Sequence, residues 1–288
     1  MIAYNPKDWF TFIFRFHKAD TFRKLLPLMA GIAIYSGIVA YLEVEYFRVP
    51  PDSYLKNLPL MHNLLGFVIS LLLVFRTNTA YDRWWEGRKQ WGALTNTSRN
   101  LAMKLHAILP PEDHTIRAFF RRIIPVYAAA LRAHLKPEAP MHWPDDEEPI
   151  DPALHRPNQI ARRLVAKIYE LRSDGRISAE QLLTLHTDIQ AFTDICGACE
   201  RIKNSPIPFS YSSFIKKFVF FYVMTLPFGY VFNLGYLVIP VVVFIFYVLA
   251  SLELLAEEIE DPFGGDANDL PTDIITRNIE VHVGEILS

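Results

Sequence analysis

The chain has 288 residues, of which 51% are hydrophobic and 14% aromatic; it holds 21 phenylalanines but only 12 glycines, and its mean hydropathy is +0.14. Such an apolar excess must be hidden in an unusually large core or placed in lipid. Twenty-nine Lys and Arg against 31 Asp and Glu leave a formal charge of −2, so no bulk positive field exists for phosphate backbones and nucleic acid is excluded as an expected partner.

The first 20 residues mix charge with aromatic groups, Trp9, Phe10, Phe12, Phe14 and Phe16, and lack a small-residue cleavage pattern. They read as an interfacial segment at headgroup level rather than a cleaved signal. Runs free of Asp, Glu, Lys and Arg follow at Leu25 to Leu42, Asn57 to Phe75 and Phe218 to Leu252. A hydrocarbon core takes roughly 20 helical residues, so the first two runs are single spans and the third is long enough for two. Pro227, Gly229, Asn233 and Gly235 place a turn in the first half of that third run. Buried helices of a soluble protein are the alternative, but those carry a polar face at i, i+3, i+4 spacing, which these runs lack.

Loop charge orients the spans. Residues 1 to 24 carry Lys7, Arg15, Lys18, Arg23 and Lys24, and the second span is followed by Arg76, Arg83, Arg88 and Lys89. The connection between the first two spans holds Glu43, Glu45 and Asp52 against Arg48 and Lys56. The positive-inside bias therefore puts both termini and residues 76 to 217 in the cytoplasm of a multi-pass inner-membrane protein.

Helix formers dominate Tyr81 to Ile108, Thr115 to Leu135, Ile160 to Leu171 and Ser178 to Ile202, the last opened by a Ser178/Gln181 capping box. Lys136 to Gln159, with six prolines and the acidic run 145 to 148, reads as an exposed loop. The expected fold is all-α: four transmembrane helices continued by a cytoplasmic helical bundle. The units are residues 1–75, 76–213, 214–254 and an acidic C-terminal segment, 255–288.

Four local patterns stand out. Arg76 to Gly92 (RTNTAYDRWWEGRKQWG) packs Arg76, Tyr81, Asp82, Arg83, Trp84, Trp85 and Glu86 into a membrane-exit helix. It reads either as an aromatic belt with snorkelling cations, which the physics favours, or as a charge-paired junction. Leu60, Leu64, Val68 and Leu72 recur every four residues along one ridge; around a symmetry axis the ridge would form apolar rings that gate by dewetting, and in a monomer it is ordinary packing. Asn63 and Phe67 define a neighbouring ridge. Ser205 to Tyr211 holds Pro206 and Pro208 and bends the chain at Ile207. After the last span come Glu253, Glu257, Glu258, Glu260, Asp261, Asp266, Asp269 and Asp273 with Gly264 and Gly265. Their spacing is not an EF-hand, and an acidic solvated segment is set against a hard-cation site.

Catalytic patterns are missing. The nine histidines are scattered, with no H-E-x-x-H, G-x-S-x-G or Walker A loop, so an enzyme is disfavoured and no cofactor is expected. Cys196 and Cys199 form one C-x-x-C without the second ligand pair of a structural zinc site.

Together, the Arg76 to Gly92 block, Ile207-Pro208-x-x-Tyr211 and the segment from Glu257 through Asp269, with its Asp261-Pro262-Phe263-Gly264 core, resemble the bestrophin family of ion channels. The resemblance implies a homopentamer around an axial pore in the lipid bilayer, passing small monovalent ions. Chloride is the family's ion, and sodium or other cations stay open for a bacterial member. It places a neck at Leu60, Leu64 and Val68, all aliphatic where animal members carry phenylalanine, and a cytosolic aperture at Ile207. A calcium clasp would fall on Asp266 and Asp269, in a run where Gly265, Ala267 and Asn268 replace acidic residues. Other classes compatible with the chain are a secondary transporter, which would call for broken or charged spans at the midplane, and a membrane-anchored scaffold.

Overall fold

The computed structural model describes residues 21–48, 50, 53–136, 150–266 and 268–288. The aromatic N-terminal segment and the acidic run 145 to 148 lie outside them. Eight α-helices and no strand are found among the described residues: α1 Thr21–Tyr41, α2 Leu58–Ile108, α3 His114–Leu135, α4 Arg156–Ser173, α5 Ala179–Asn204, α6 Phe209–Leu234, α7 Val238–Glu260 and α8 Thr272–Ile286.

Three helical segments, Thr21–Tyr46, Leu58–Ile108 and Phe209–Glu260, are long and apolar enough to cross a membrane. The third comprises α6 and α7, and the Lys216–Glu257 ion pair at 2.8 Å shows the two folded back on each other. The turn is not spread over the predicted breakers. Helix α6 continues through Pro227 and Gly229, and the chain reverses at Gly235, whose φ of 53° and ψ of −137° suit a residue without Cβ. Gly229 serves packing instead: a Cβ there would lie 2.9 Å from both Leu58 Cβ and Pro59 Cδ.

Helix α2 is the spine. Its first half runs antiparallel to α6, with His62 Nε2 3.0 Å from Thr225 Oγ1 and the position of a Gly66 Cβ 2.9 Å from Tyr222 Oη. Helix α1 lies antiparallel to α7, joined at one end by Lys24 and Glu258 at 2.5 Å and further along by Gly37 against Ile239. These helices share an apolar core that includes Ile69, Leu73, Val223, Leu226, Val238 and Val242. The second half of α2 enters a separate core with α3, α4, α5 and α8, centred on Trp91, Leu101, Phe120, Tyr127, Leu164 and Phe192.

The helices of this second core follow the sequence pattern closely. Ser178 and Gln181 form the reciprocal capping box that starts α5. The Pro-rich connection is shorter than its composition suggests, because α4 already begins at Arg156 with His155 as its N-cap and Pro157 in its first turn, where a missing N–H costs nothing.

Candidate pore face and its membrane-exit junction

At about 100° per residue, Leu60, Leu64, Phe67, Val68 and Leu71 occupy one arc of α2, while His62, Ile69, Leu73, Arg76 and Ala80 occupy the opposite arc. The structure divides them the same way. Leu60, Leu64 and Val68 are 71%, 68% and 44% exposed, and Phe67 and Leu71 are exposed beside them, whereas the second set is buried. The Leu60–Leu64–Val68 ridge is therefore not ordinary packing within one chain: it points away from α6 and α7. An apolar helix face of this kind is covered by lipid or by further copies of the chain. Lower on the same arc Asn78 and Asp82 are exposed, so the face turns polar beyond the span.

What fixes the rotation of α2 is the junction below. Arg76, 1% exposed, places Nη2 2.6 Å from Glu260 Oε2 and Nε 3.5 Å from Glu253 Oε2. Arg83 donates from Nε to the Glu260 carbonyl at 3.0 Å, from Nη2 to the Ile202 carbonyl at 2.5 Å and from Nη1 to the Ser205 carbonyl. Glu86 pairs with Arg201 at 2.7 Å, Trp84 Nε1 donates to the Asn268 carbonyl at 3.1 Å, and Gly87 lets Pro262, Phe263 and Leu270 approach.

For Arg76 and Arg83 the snorkelling reading is thus corrected: both guanidinium groups turn inward, because carboxylates and open helix-end carbonyls await them there. The junction's charged partners come from α5 and α7 rather than from Asp82, which is exposed. Tyr81 stacks on Trp84 at 6.1 Å, and Trp85 stays exposed.

Glu260 also reaches the bend. Its Oε1 accepts the Ile207 N–H at 2.6 Å, so one carboxylate binds Arg76 with one oxygen and orients the Ile207 backbone with the other. Ile207 is half-buried in the elbow between α5 and α6.

The glutamates in the last turns of α7 are committed. Glu253 and Glu260 face Arg76, Glu257 pairs with Lys216, and Glu258 takes Lys24 together with the Asn268 amide at 2.8 Å. Asp266 is exposed at its side chain and donates its N–H to Asp269 Oδ2 at 2.6 Å, while Asp269 is buried with Oδ1 unpartnered. Burial pushes Asp269 up to about 6, against the lowering effect of the Asp266 N–H. Asp261 and Asp269 both border Gly264, and the Lys136 ammonium lies beside Gly265. Asp266 and Asp269 are the two carboxylates on which the family resemblance places a calcium clasp, and calcium takes about six to eight oxygens, backbone carbonyls and waters among them.

One cluster was not legible in the sequence. His134, His155 and Glu200, 66 residues apart end to end, bring their ligand atoms within 4.8 Å of one another.

A helical membrane protein with an unpartnered apolar helix face above a buried ionic junction is the class that fold and site define. The comparisons agree. Residues 1–285 match the model of the bacterial and fungal bestrophin proteins, and the chain belongs to the bestrophin family. It is 31% identical over 292 residues to the voltage-dependent anion channel-forming protein YneE of Escherichia coli, covering 98% of this chain and 92% of that one. A voltage-dependent anion channel-forming protein of Synechocystis is 31% identical over 82% of this chain and 80% of its own. A crystal structure of a bacterial bestrophin homologue from Klebsiella pneumoniae superposes with a TM-score of 0.81 at 27% identity, covering 92% of this chain and all of that one. Another crystal structure of that homologue, obtained by Zn-SAD phasing, gives 0.81 over 91% of this chain and 98% of that one.

Proposed function

We propose that this chain is the subunit of a passive channel for small monovalent anions, in which five copies surround an axial pore. The carrying observation is the exposed Leu60–Leu64–Val68 ridge on the face of α2 opposite its packed side. In a ring of subunits those residues form the neck, and dewetting between apolar rings is how such a constriction closes. Ile207, tethered through Glu260 to the arginine that sets the rotation of α2, forms the second, cytosolic constriction. Arg76, Tyr81, Asp82, Arg83, Trp84, Trp85 and Glu86 make up the membrane-exit junction, and α1, the first half of α2, α6 and α7 are the four spans. The basic exits put both termini in the cytoplasm and the protein in the inner membrane.

Anion preference rests on relatives that are named as anion channel-forming proteins. The ridge at Leu60, Leu64 and Val68 is aliphatic with Phe67 exposed beside it on the same arc, and chloride against sodium is read directly from the reversal potential. The purified protein in a planar bilayer under a NaCl gradient is expected to give unitary currents that reverse toward the chloride potential. Reversal toward the sodium potential overturns the anion assignment, and silence under all gradients overturns the channel. A coupled transporter would instead show saturable flux without unitary steps.

A further inference from the structure

His134 lies in the last turn of α3, His155 is the N-cap of α4, and Glu200 lies on α5. The two imidazole Nε2 atoms stand 2.7 Å and 2.5 Å from the same carboxylate oxygen, Glu200 Oε1, with ring centroids 4.4 Å apart. Each side chain is about 30% exposed, so the cluster opens to solvent on one side. We propose that His134, His155 and Glu200 form a binding site for a zinc-class transition-metal ion that ties both ends of the α3–α4 connection to α5.

The chemistry of the donors selects the metal. Two imidazole nitrogens and one carboxylate suit zinc and its neighbours, whereas calcium and magnesium take oxygen sets. Zinc binds at about 2.0–2.2 Å, so tetrahedral ligand atoms lie roughly 3.3–3.5 Å apart. Each His–Glu pair therefore needs to open by about 1 Å or less, a rotamer-scale adjustment for half-exposed side chains, and the fourth position is left for water. Glu200 Oε1 already faces both imidazole Nε2 atoms, so the carboxylate is turned toward the position the ion would take. The buried thiols of Cys196 and Cys199 are not among the ligand atoms that converge there.

Binding has a definite structural signature. His155 Nδ1 accepts the Asn158 N–H at 3.2 Å, so in the neutral ring the proton sits on Nε2 and is donated to Glu200. Metal at Nε2 moves that proton to Nδ1, which gives up the cap to Asn158 and loosens the first turn of α4. On the other side the clamp tightens α5 six residues before Pro206, where Lys203 already donates to the Leu135 carbonyl and Arg83 to Ile202 and Ser205. The site thus connects to the Ile207 elbow through one rigid helix.

The test uses the untagged, full-length protein in detergent, stripped with EDTA and titrated calorimetrically with ZnCl2, with Co2+ absorption as a second probe. One ion per chain is expected, with tetrahedral cobalt bands and loss of amide protection at Asn158. His155→Asn keeps a capping side chain and His134→Gln keeps a donor to Glu200, so both variants fold; each should weaken zinc by more than about 100-fold, beyond what loss of an outer partner costs. His186→Ala, which removes an exposed histidine elsewhere on α5, should bind as the parent does. Absence of stoichiometric zinc in the parent, unchanged affinity in both ligand variants, or an equal loss in His186→Ala overturns the site. None of these outcomes depends on whether the protein conducts ions.

Discussion

Replacing Arg76 with Met removes a fully buried guanidinium while keeping a long side chain of similar reach. Two carboxylates then lose their cation: Glu260 at 2.6 Å and Glu253, itself 5% exposed with no hydrogen-bond partner on either oxygen. Breaking a buried pair from one side costs about 3–5 kcal/mol, because the orphaned charge stays in a poor solvent. At roughly 2 °C per kcal/mol for a chain of this size, the transition should fall by about 6–10 °C. The assay is thermal unfolding of the detergent-solubilised protein at one fixed scan rate, with rescanning to establish the reversibility on which the conversion to free energy depends. Combining Arg76→Met with Glu253→Gln and Glu260→Gln removes the uncompensated charge and leaves an oxygen able to accept the Ile207 N–H. Most of the lost stability should return. A loss under about 1 kcal/mol in the single variant, or a combined variant no better than the single, would refute the claim that the junction is held by compensation of buried charge.

Leu64→Ala and Ile207→Ala each shorten a side chain at a proposed constriction and should raise unitary conductance; unchanged currents in both discredit the pore assignment. Gly229→Ala forces a methyl to 2.9 Å from two rigid neighbours on α2, an overpacking cost of about 1–3 kcal/mol that a lowered unfolding temperature would register. Asp269 has a folded pKa of about 6, raised above its unfolded value, so its contribution is full below about pH 4 and is lost as pH rises through 6. In EGTA the parent's unfolding temperature should therefore decline from pH 4 to 7 more steeply than that of Asp269→Asn, and parallel curves would contradict the burial argument. With Cys196 and Cys199 buried and raised to about 12, alkylation of the native protein at pH 7.5 should be slow and should accelerate on unfolding; prompt labelling of the native state would show those thiols to be accessible.

Much of this molecule was written locally. Uninterrupted apolar runs longer than a membrane is thick, a Ser178–Gln181 cap and basic residues before the first run and after the second are all short-range signals, readable because helix formation and lipid transfer act residue by residue. Periodicity also marked the Leu60, Leu64, Val68 ridge, and two prolines marked the bend at Ile207. It did not say which face of α2 was free, because a ridge of leucines packs equally well inward or outward until something fixes the helix's rotation.

Long-range pairing settled those questions. Arg76 was visible as a cation at a span exit, where snorkelling toward water is the ordinary outcome. Only the arrival of Glu253 and Glu260, some 180 residues later, makes burial of its charge sustainable and turns the leucine ridge outward. The acidic segment likewise read as a solvated stretch or a cation site until Lys24, Lys216 and Arg76 claimed its four glutamates. The His134, His155, Glu200 cluster has no sequence signature at all, since its members come from three helices whose spacing follows no repeat. Sequence alone determined the helices and their apolar and polar faces, because those depend on neighbours within one turn. Tertiary structure decided which charges are compensated, and hence which face of α2 stays uncovered within the chain, because compensation depends on groups that meet only when the chain folds.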